Sequence, residues 1–308
     1  MEKILITGGT GLVGKALTEA LLERGFHVIV LTRRLPEIPY PVSRISYATW
    51  NIEKQTIDKD AVQEADYIIH LAGASVTKKQ WTKKRKLEIV NSRVDSGKLI
   101  VESVKTIPNK IKAIISASAI GWYGPDFENK KISFSEEAPA ANNFLGLTCK
   151  QWEAAFEPLS FLCKRLVKFR IGIVLSNEGG ALAEFKKPLK FGLAAILGSG
   201  KQIISWIHID DLVRLFLFGI DNKEISGTYN AVAPNPLTNK ELILAIAKKE
   251  KGKFYIPIHV PSFVLKLMLG EMSVEVLKSA TVSCKKIQEA GFIFQYSTIE
   301  KAIQQLAG

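Results

Sequence analysis

The sequence predicts an α/β fold in which a doubly wound parallel sheet carries a smaller C-terminal substrate lobe. Two observations predict it. Short apolar runs alternate with helical patterns as far as about Val174, and the first run ends in a glycine cluster that leads directly into a helical pattern. Strands separated by helices pair in parallel through crossovers, so both faces of the sheet are covered.

Ile4–Ile6 is the first strand, Leu12–Arg24 the first helix and Val28–Leu31 the second strand, with Gly25 ending the helix. This is a right-handed βαβ unit. Ile45–Tyr47 reads as a third strand, Asp60–Ala65 as a short helix and Tyr67–Leu71 as a fourth strand. A long helix over Thr82–Val104, a strand over Ile111–Ala117, a helix over Thr148–Phe156 and a strand over Arg165–Ile171 continue the alternation. Beyond Val174, glycines and Pro188 break the periodicity, as loops of a substrate lobe would. Asp210–Phe218 then reads as a helix and Thr228–Val232 as a strand, and Thr238 is placed to cap a helix over Asn239–Lys249. The tail from Lys253 has strand and helix patterns of its own. These patterns assign residues 1–174 to the sheet domain, completed by about 203–233, and residues 175–202 and 234–308 to the smaller lobe.

Composition narrows the classes. Of 308 residues, 47% are hydrophobic and 23% charged, the balance of a soluble globular protein. No apolar run approaches the roughly 18 residues of a membrane span, and the N-terminus lacks the apolar stretch of a secretory signal. Cys149, Cys163 and Cys284 are odd in number and scattered, which argues against a disulfide frame or a zinc site and fits a reducing cytoplasm. No metal is expected, and an oligomer is left open. The net charge of +12 points to an anionic partner or to a lysine-rich solvated surface. Its densest part, Lys78–Lys86, is interleaved with Trp81, as in nucleic-acid binders, but has no recognition motif beside it. A basic rim around a phosphate site accounts for it better.

The glycine cluster is the strongest local signal. Thr7, Gly8, Gly9, Thr10, Gly11, Leu12, Val13 and Gly14 follow the first strand and open the first helix. Gly9, Gly11 and Gly14 satisfy GxGxxG. Residues without Cβ permit a tight turn and close approach of a pyrophosphate, while the helix N-terminus offers unpaired N–H groups and partial positive charge. The strand–turn–helix context makes the motif a dinucleotide site on a Rossmann-type sheet. At the end of the second strand, Thr32-Arg33-Arg34 stands where an NAD site places an acid, and two guanidiniums suit a 2′-phosphate. The cofactor expected is therefore NADP(H).

Further segments carry a resemblance. His70–Ala74, Gln80–Thr82, Asn91–Arg93, Ser116–Gly124, Gln202–Asp211, Asn230–Pro236 and Leu269–Met272 occur in an order similar to that of the extended short-chain dehydrogenase/reductases. More narrowly, the chain resembles their atypical epimerase subgroup. The resemblance implies that Leu71, Ala72 and Gly73 border the nicotinamide ribose and that Asn91 helps to hold the site. It also exposes a departure. The superfamily's catalytic Tyr-x-x-x-Lys pair is replaced by Leu145 and Cys149, neither of which can serve as the proton donor or the cation.

Ser118 matches the superfamily's catalytic serine or threonine, and Tyr123 is a second candidate acid/base if its pKa is depressed. Trp81, Gln202 and Trp206 are candidates for the substrate pocket. His208, Asp210 and Asp211 read as structural, with Asp210 or Asp211 placed to cap a helix. The leading functional expectation is an oxidoreductase or epimerase with a non-standard acid/base, acting on a small carbonyl or sugar-nucleotide substrate. The alternatives are a catalytically silent NADP(H)-binding regulator, similar to relatives labelled cell-division inhibitors, and, more distantly, nucleic-acid binding.

Overall fold

A computed structural model describes residues 1–37, 43–126, 133–162 and 164–306, so Cys163 lies outside the described residues. The order is β1 (Lys3–Thr7), α1 (Leu12–Glu23), β2 (His27–Thr32), β3 (Ile45–Asn51), β4 (Thr56–Ile57), α2 (Lys59–Glu64), β5 (Tyr67–His70), α3 (Lys83–Thr106) and β6 (Ala113–Ala119). There follow α4 (Phe144–Ala154), β7 (Arg165–Ile171), β8 (Ile173–Ser176), β9 (Gly179–Gly180), α5 (Ala181–Leu189), β10 (Leu193–Leu197), β11 (Ile203–Ile204) and β12 (Trp206–His208). The chain continues through α6 (Ile209–Asp221), β13 (Gly227–Ala231), β14 (Leu237–Thr238), α7 (Asn239–Lys251), β15 (Ile256–Val260) and α8 (Ser262–Leu269). It closes with α9 (Ser273–Leu277), α10 (Lys285–Glu289) and α11 (Ile299–Leu306).

The main sheet has eight strands in the order β13-β7-β6-β5-β1-β2-β3-β4. Every pairing is parallel except β3 with the short β4. Its middle strands have no alternation because both faces are covered: Ile4, Leu5, Ile6, Ile68, Ile69, Ile114 and Ile115 are all fully buried. The strand order reverses between β1 and β5, and in doubly wound sheets ligands bind at the carboxyl ends of the strands flanking such a fork. At this fork lie Thr7-Gly8 on one side and His70-Leu71 on the other.

A second apolar cluster gathers Leu175, Leu182, Leu189, Ile196, Trp206, Leu242, Ile246 and Ile303 under α5, α7, β10 and α11. The C-terminal tail is divided between this cluster and the main core. Val282, Cys284, Ile287, Phe292 and Phe294 pack with the main sheet, so the tail contributes to both cores.

Two local expectations shift and a third holds. Helix α4 starts at Phe144, four residues before the sequence pattern begins, because the Asn143 side chain caps it by accepting from the Gly146 amide at 2.8 Å. Asp210 and Asp211 do not cap α6. His208 does, its Nδ1 accepting from the Asp210 amide at 3.1 Å. Thr238 caps α7 as expected, in a reciprocal box with Glu241.

Candidate functional site

The glycine turn is built by close packing. Gly8 adopts φ +71°, and a Cβ there would lie 2.9 Å from the Leu71 carbonyl carbon. At Gly14 a Cβ would lie 2.1 Å from the Gly8 oxygen, so α1 presses directly against the turn. Gly9 is buried against Ile6 and Val30, while Thr10 and Gly11 are exposed at the lip. Helix α1 begins after Gly11 with no side-chain cap and no acidic residue in its first turn. Its first intrahelical bond runs from the Lys15 amide to the Gly11 oxygen, so the amides of Leu12, Val13 and Gly14 have no acceptor among the described residues. The cradle fits an anion of pyrophosphate size and charge.

Thr7 plays a different part from its neighbours. Fully buried, its hydroxyl oxygen accepts from the Leu71 and Ala72 amides at 3.1 and 3.2 Å and lies 2.9 Å from Nδ1 of His70. With its oxygen already accepting twice, the hydroxyl donates to Nδ1, and the His70 proton sits on Nε2, facing Ser96 Oγ at 3.2 Å. Ser96 passes its own proton to the Ser92 carbonyl at 2.7 Å. Burial pulls the His70 pKa down to about 3, with a smaller push from Arg93. His70 is thus a neutral brace under the fork.

At the end of β2, Arg33 and Arg34 are both exposed and have no carboxylate within 4.0 Å among the described residues. The Thr32 hydroxyl donates to the Arg34 carbonyl at 2.8 Å and holds the turn that presents them. β2 pairs with β1 in register Thr7↔Leu31, which sets the two guanidiniums one strand away from the glycine turn. Across the fork Leu71 and Ala72 are half-buried and Gly73 is exposed. Asn91 is exposed on α3, and it is Ser92 and Arg93 that meet this loop. The Ala74 amide donates to Ser92 Oγ at 2.9 Å, and Arg93 Nη1 donates to the Ala74 carbonyl at 3.0 Å.

The two candidate catalytic residues belong to a buried network. Ser118, on β6 opposite Arg170 of β7, donates its single proton to Glu153 Oε1 at 2.6 Å. Arg170 grips the same carboxylate bidentately, Nε to Oε1 at 2.8 Å and Nη2 to Oε2 at 3.1 Å. Its Nη1 reaches Tyr123 Oη at 3.0 Å and the Glu136 carbonyl at 3.0 Å, and the Tyr123 hydroxyl donates to Asn230 Oδ1 at 2.7 Å. Tyr123 is 0% exposed, and burial pushes its pKa up to about 12 against the pull of Arg170. A depressed pKa was the condition for a role as acid or base, and the environment works in the opposite direction. Ser118, having given its proton to Glu153, is unable to donate to a substrate carbonyl while that bond stands. Cys149 is buried and raised to about 12, mainly by desolvation and then by Glu153, so it is a neutral thiol.

The candidate pocket residues separate. Trp206 is sealed in the lobe core, with its indole N–H on the Asn235 carbonyl at 3.0 Å, and Gln202 is buried, donating to the Leu197 carbonyl at 3.0 Å. Both pack the lobe. Trp81 is half-buried, its N–H on the Val76 carbonyl at 2.8 Å and its ring edge-on to Phe144 with centroids 4.9 Å apart. Lys86 lies over the same Phe144 ring and pairs with Glu271 at 2.5 Å, so the tail closes against the start of α3 here.

An epimerase family protein of Staphylococcus saprophyticus is 36% identical over 308 residues, covering 99% of both chains. The profile of the NAD dependent epimerase/dehydratase family matches residues 4–145. This chain belongs to that family. Residues 260–306 match a second profile, a domain of unknown function designated DUF1731. Among solved structures, human epimerase family protein SDR39U1 (isoform 2), determined with NADPH, superposes with a TM-score of 0.85 at 24% identity, covering 99% of each chain. A UDP-glucuronic acid 4-epimerase from Bacillus cereus, determined with UDP-glucuronic acid and NAD, superposes with a TM-score of 0.78 at 21% identity, covering 99% of this chain and 98% of its own. The epimerase/dehydratase fold, with its NAD(P)-binding sheet, is therefore that of this chain.

Sequence reasoning missed Glu153, Arg170, Asn230 and Arg93 as members of the site. A signal existed for one of them: a charged residue in the apolar strand RLVKFRI must find a buried partner, since the strand is covered on both faces. Among the described residues no group of three or more potential ligands could hold a metal, and no helix is long and apolar enough to cross a membrane.

Proposed function

We propose that this chain binds NADP(H) and works as an oxidoreductase or epimerase on a small carbonyl or sugar-nucleotide substrate, without the superfamily's tyrosine. The observation that carries this reading is the uncapped start of α1 at the fork, where three amides converge beside a turn that excludes every Cβ at Gly8 and Gly14. The free Arg33 and Arg34 support the phosphorylated dinucleotide, as does the human relative determined with NADPH. The exposed lysines Lys78, Lys79, Lys83 and Lys84 suit a diphosphate, the chemistry of the Bacillus cereus enzyme's ligand. Trp81 supplies the aromatic wall. The free thiols Cys149 and Cys284 support a reducing compartment such as the cytoplasm.

When bound, the nicotinamide supplies or accepts a hydride at a substrate carbon. The turn amides hold the pyrophosphate, the Leu71–Gly73 loop borders the ribose, and Ser118 keeps lone pairs with which to accept from a substrate hydroxyl. A second reading, a regulator that binds NADP(H) without turnover, draws on the sealed Tyr123, the committed Ser118 proton and the replacements at Leu145 and Cys149. Loss of NADPH absorbance against a panel of carbonyl compounds and UDP-sugars distinguishes the two. Turnover that Ser118→Ala abolishes supports the first reading. Binding with no turnover across the panel supports the second, and no binding refutes both.

A further inference from the structure

The missing lysine of the superfamily pair leaves position 149 without a cation, and the neighbouring Lys150 of α4 is exposed. A cation is nevertheless there, delivered from α3. Arg93 lies in the seam between α3, α4 and the loop that follows β5. One face of its guanidinium rests on the backbone at Gly73, where a Cβ would lie 3.0 Å from the guanidinium carbon. It also lies over the Trp152 ring at 5.0 Å. Its charge acts on both His70 and Cys149, the residues at the floor of the fork and at the vacated lysine position.

Its hydrogen bonding is half finished. Nη1 donates to the carbonyls of Ala74 and Ile89 at 3.0 Å each. Nε and Nη2 have no acceptor, and no carboxylate lies within 4.0 Å, among the described residues. Neither nitrogen is among the atoms sealed from solvent without a partner, so each keeps some contact with solvent, although burial pulls the guanidinium pKa down. Arg170, by contrast, has all three of its nitrogens bonded, two of them to one carboxylate. A guanidinium clamped on one edge and free on the other is preorganised to donate to a ligand oxygen.

We propose that Arg93 takes over the ribose-holding part of the absent lysine, donating from Nε and Nη2 to the hydroxyl oxygens of the ribose that bears the nicotinamide. This rests on the dinucleotide reading above and assigns a residue to one half of that ligand. It also accounts for Gly73, since any side chain there would displace the guanidinium.

The test compares two ligands by titration calorimetry: NADPH, and adenosine 2′,5′-bisphosphate, which lacks the nicotinamide half. Arg93→Gln should weaken NADPH by at least about 10-fold, the loss of one or two charge-assisted hydrogen bonds. Binding of the bisphosphate should stay within about 2-fold of wild type. Equal weakening of both ligands, or of neither, overturns the proposal. A wild-type chain that binds neither ligand overturns the dinucleotide reading itself, and this inference with it. Should Arg93→Gln fail to fold, the wild-type chain still decides: the Arg93 Nε–H resonance, assigned by its absence in Arg93→Lys, should shift on adding NADPH and stay in place on adding the bisphosphate. A resonance that responds to neither, or equally to both, contradicts the assignment.

Discussion

Gly14→Ala is the sharpest perturbation of the cradle. The new Cβ would sit 2.1 Å from the Gly8 oxygen, 2.6 Å from Gly9 Cα and 2.8 Å from the Gly9 carbonyl carbon, all backbone atoms with no rotamer to escape into. The helix or the turn must then move by roughly 1 Å, an overpacking that costs about 3 kcal/mol where backbone has to yield. Alanine recovers about 1 kcal/mol through helix propensity and a stiffer unfolded chain, leaving a net loss near 2 kcal/mol. Gly11→Ala is the control. Its Cβ meets only the Gly8 oxygen, at 3.3 Å, and its φ of −80° suits any residue, so its stability should stay within about 0.5 kcal/mol of wild type. Urea unfolding of the three proteins at constant m-value reads the difference directly. Gly14→Ala should also lose NADPH binding, because the amides of α1 move with the helix. A Gly14→Ala protein as stable as Gly11→Ala would refute the packing argument.

Other predictions concern the buried polar groups. Glu153→Gln leaves the Arg170 guanidinium buried without its counter-charge and should cost about 3–5 kcal/mol in urea unfolding, a loss below 1 kcal/mol contradicting the network described. Ser118→Ala removes a hydrogen bond to that carboxylate while Arg170 still holds it, so a smaller loss of about 1–2 kcal/mol should be measured. His70 has a folded pKa far below its ordinary 6.5, so between those two values the unfolded chain takes up a proton that the folded chain refuses. Stability contributed at this site is complete above pH 6.5 and falls as the pH drops, by about 1.4 kcal/mol per unit. The stability advantage of wild type over His70→Gln should therefore narrow by about 2 kcal/mol from pH 7 to pH 5. A constant difference would argue that His70 titrates normally. Nitrogen resonances of the same ring should report the Nε2-protonated tautomer.

How much of this was legible in the sequence depends on what each residue answers to. The glycine turn was, because Gly8, Gly9, Gly11 and Gly14 are constrained by backbone sterics within one strand–helix unit, and local physics is what a sequence pattern records. Strands β1, β2 and β5 were readable for a similar reason: their apolar runs have only one home, the middle of a covered sheet, and β6 and β7 followed from their place in the alternation. The start of α4 was not, since Gly146 in its first turn masks the pattern that Asn143 begins. The lobe strands β8, β10 and β15 were also hidden. Pro257 interrupts β15, and among the described residues β10 and β15 pair only with each other, across about 60 residues of sequence. The site chemistry was the least legible. Whether Tyr123 is an acid or a packed ring depends on Phe134, Arg170 and Asn230, which come from three separate stretches of the chain. Asn91 and Arg93 illustrate the same limit on one helix: two positions apart, they point in different directions, and only Arg93 meets the Gly73 loop.

Everything proposed for this chain requires a phosphorylated dinucleotide seated on the first glycine turn. Calorimetric titration of the purified protein with NADPH and with NADH, repeated on the Arg33→Ala/Arg34→Ala variant, tests that requirement most directly. The account predicts tighter binding of NADPH than of NADH by wild type, and convergence of the two affinities once both guanidiniums are gone. Equal affinities in the wild type, or heats of dilution alone with either ligand, would contradict it.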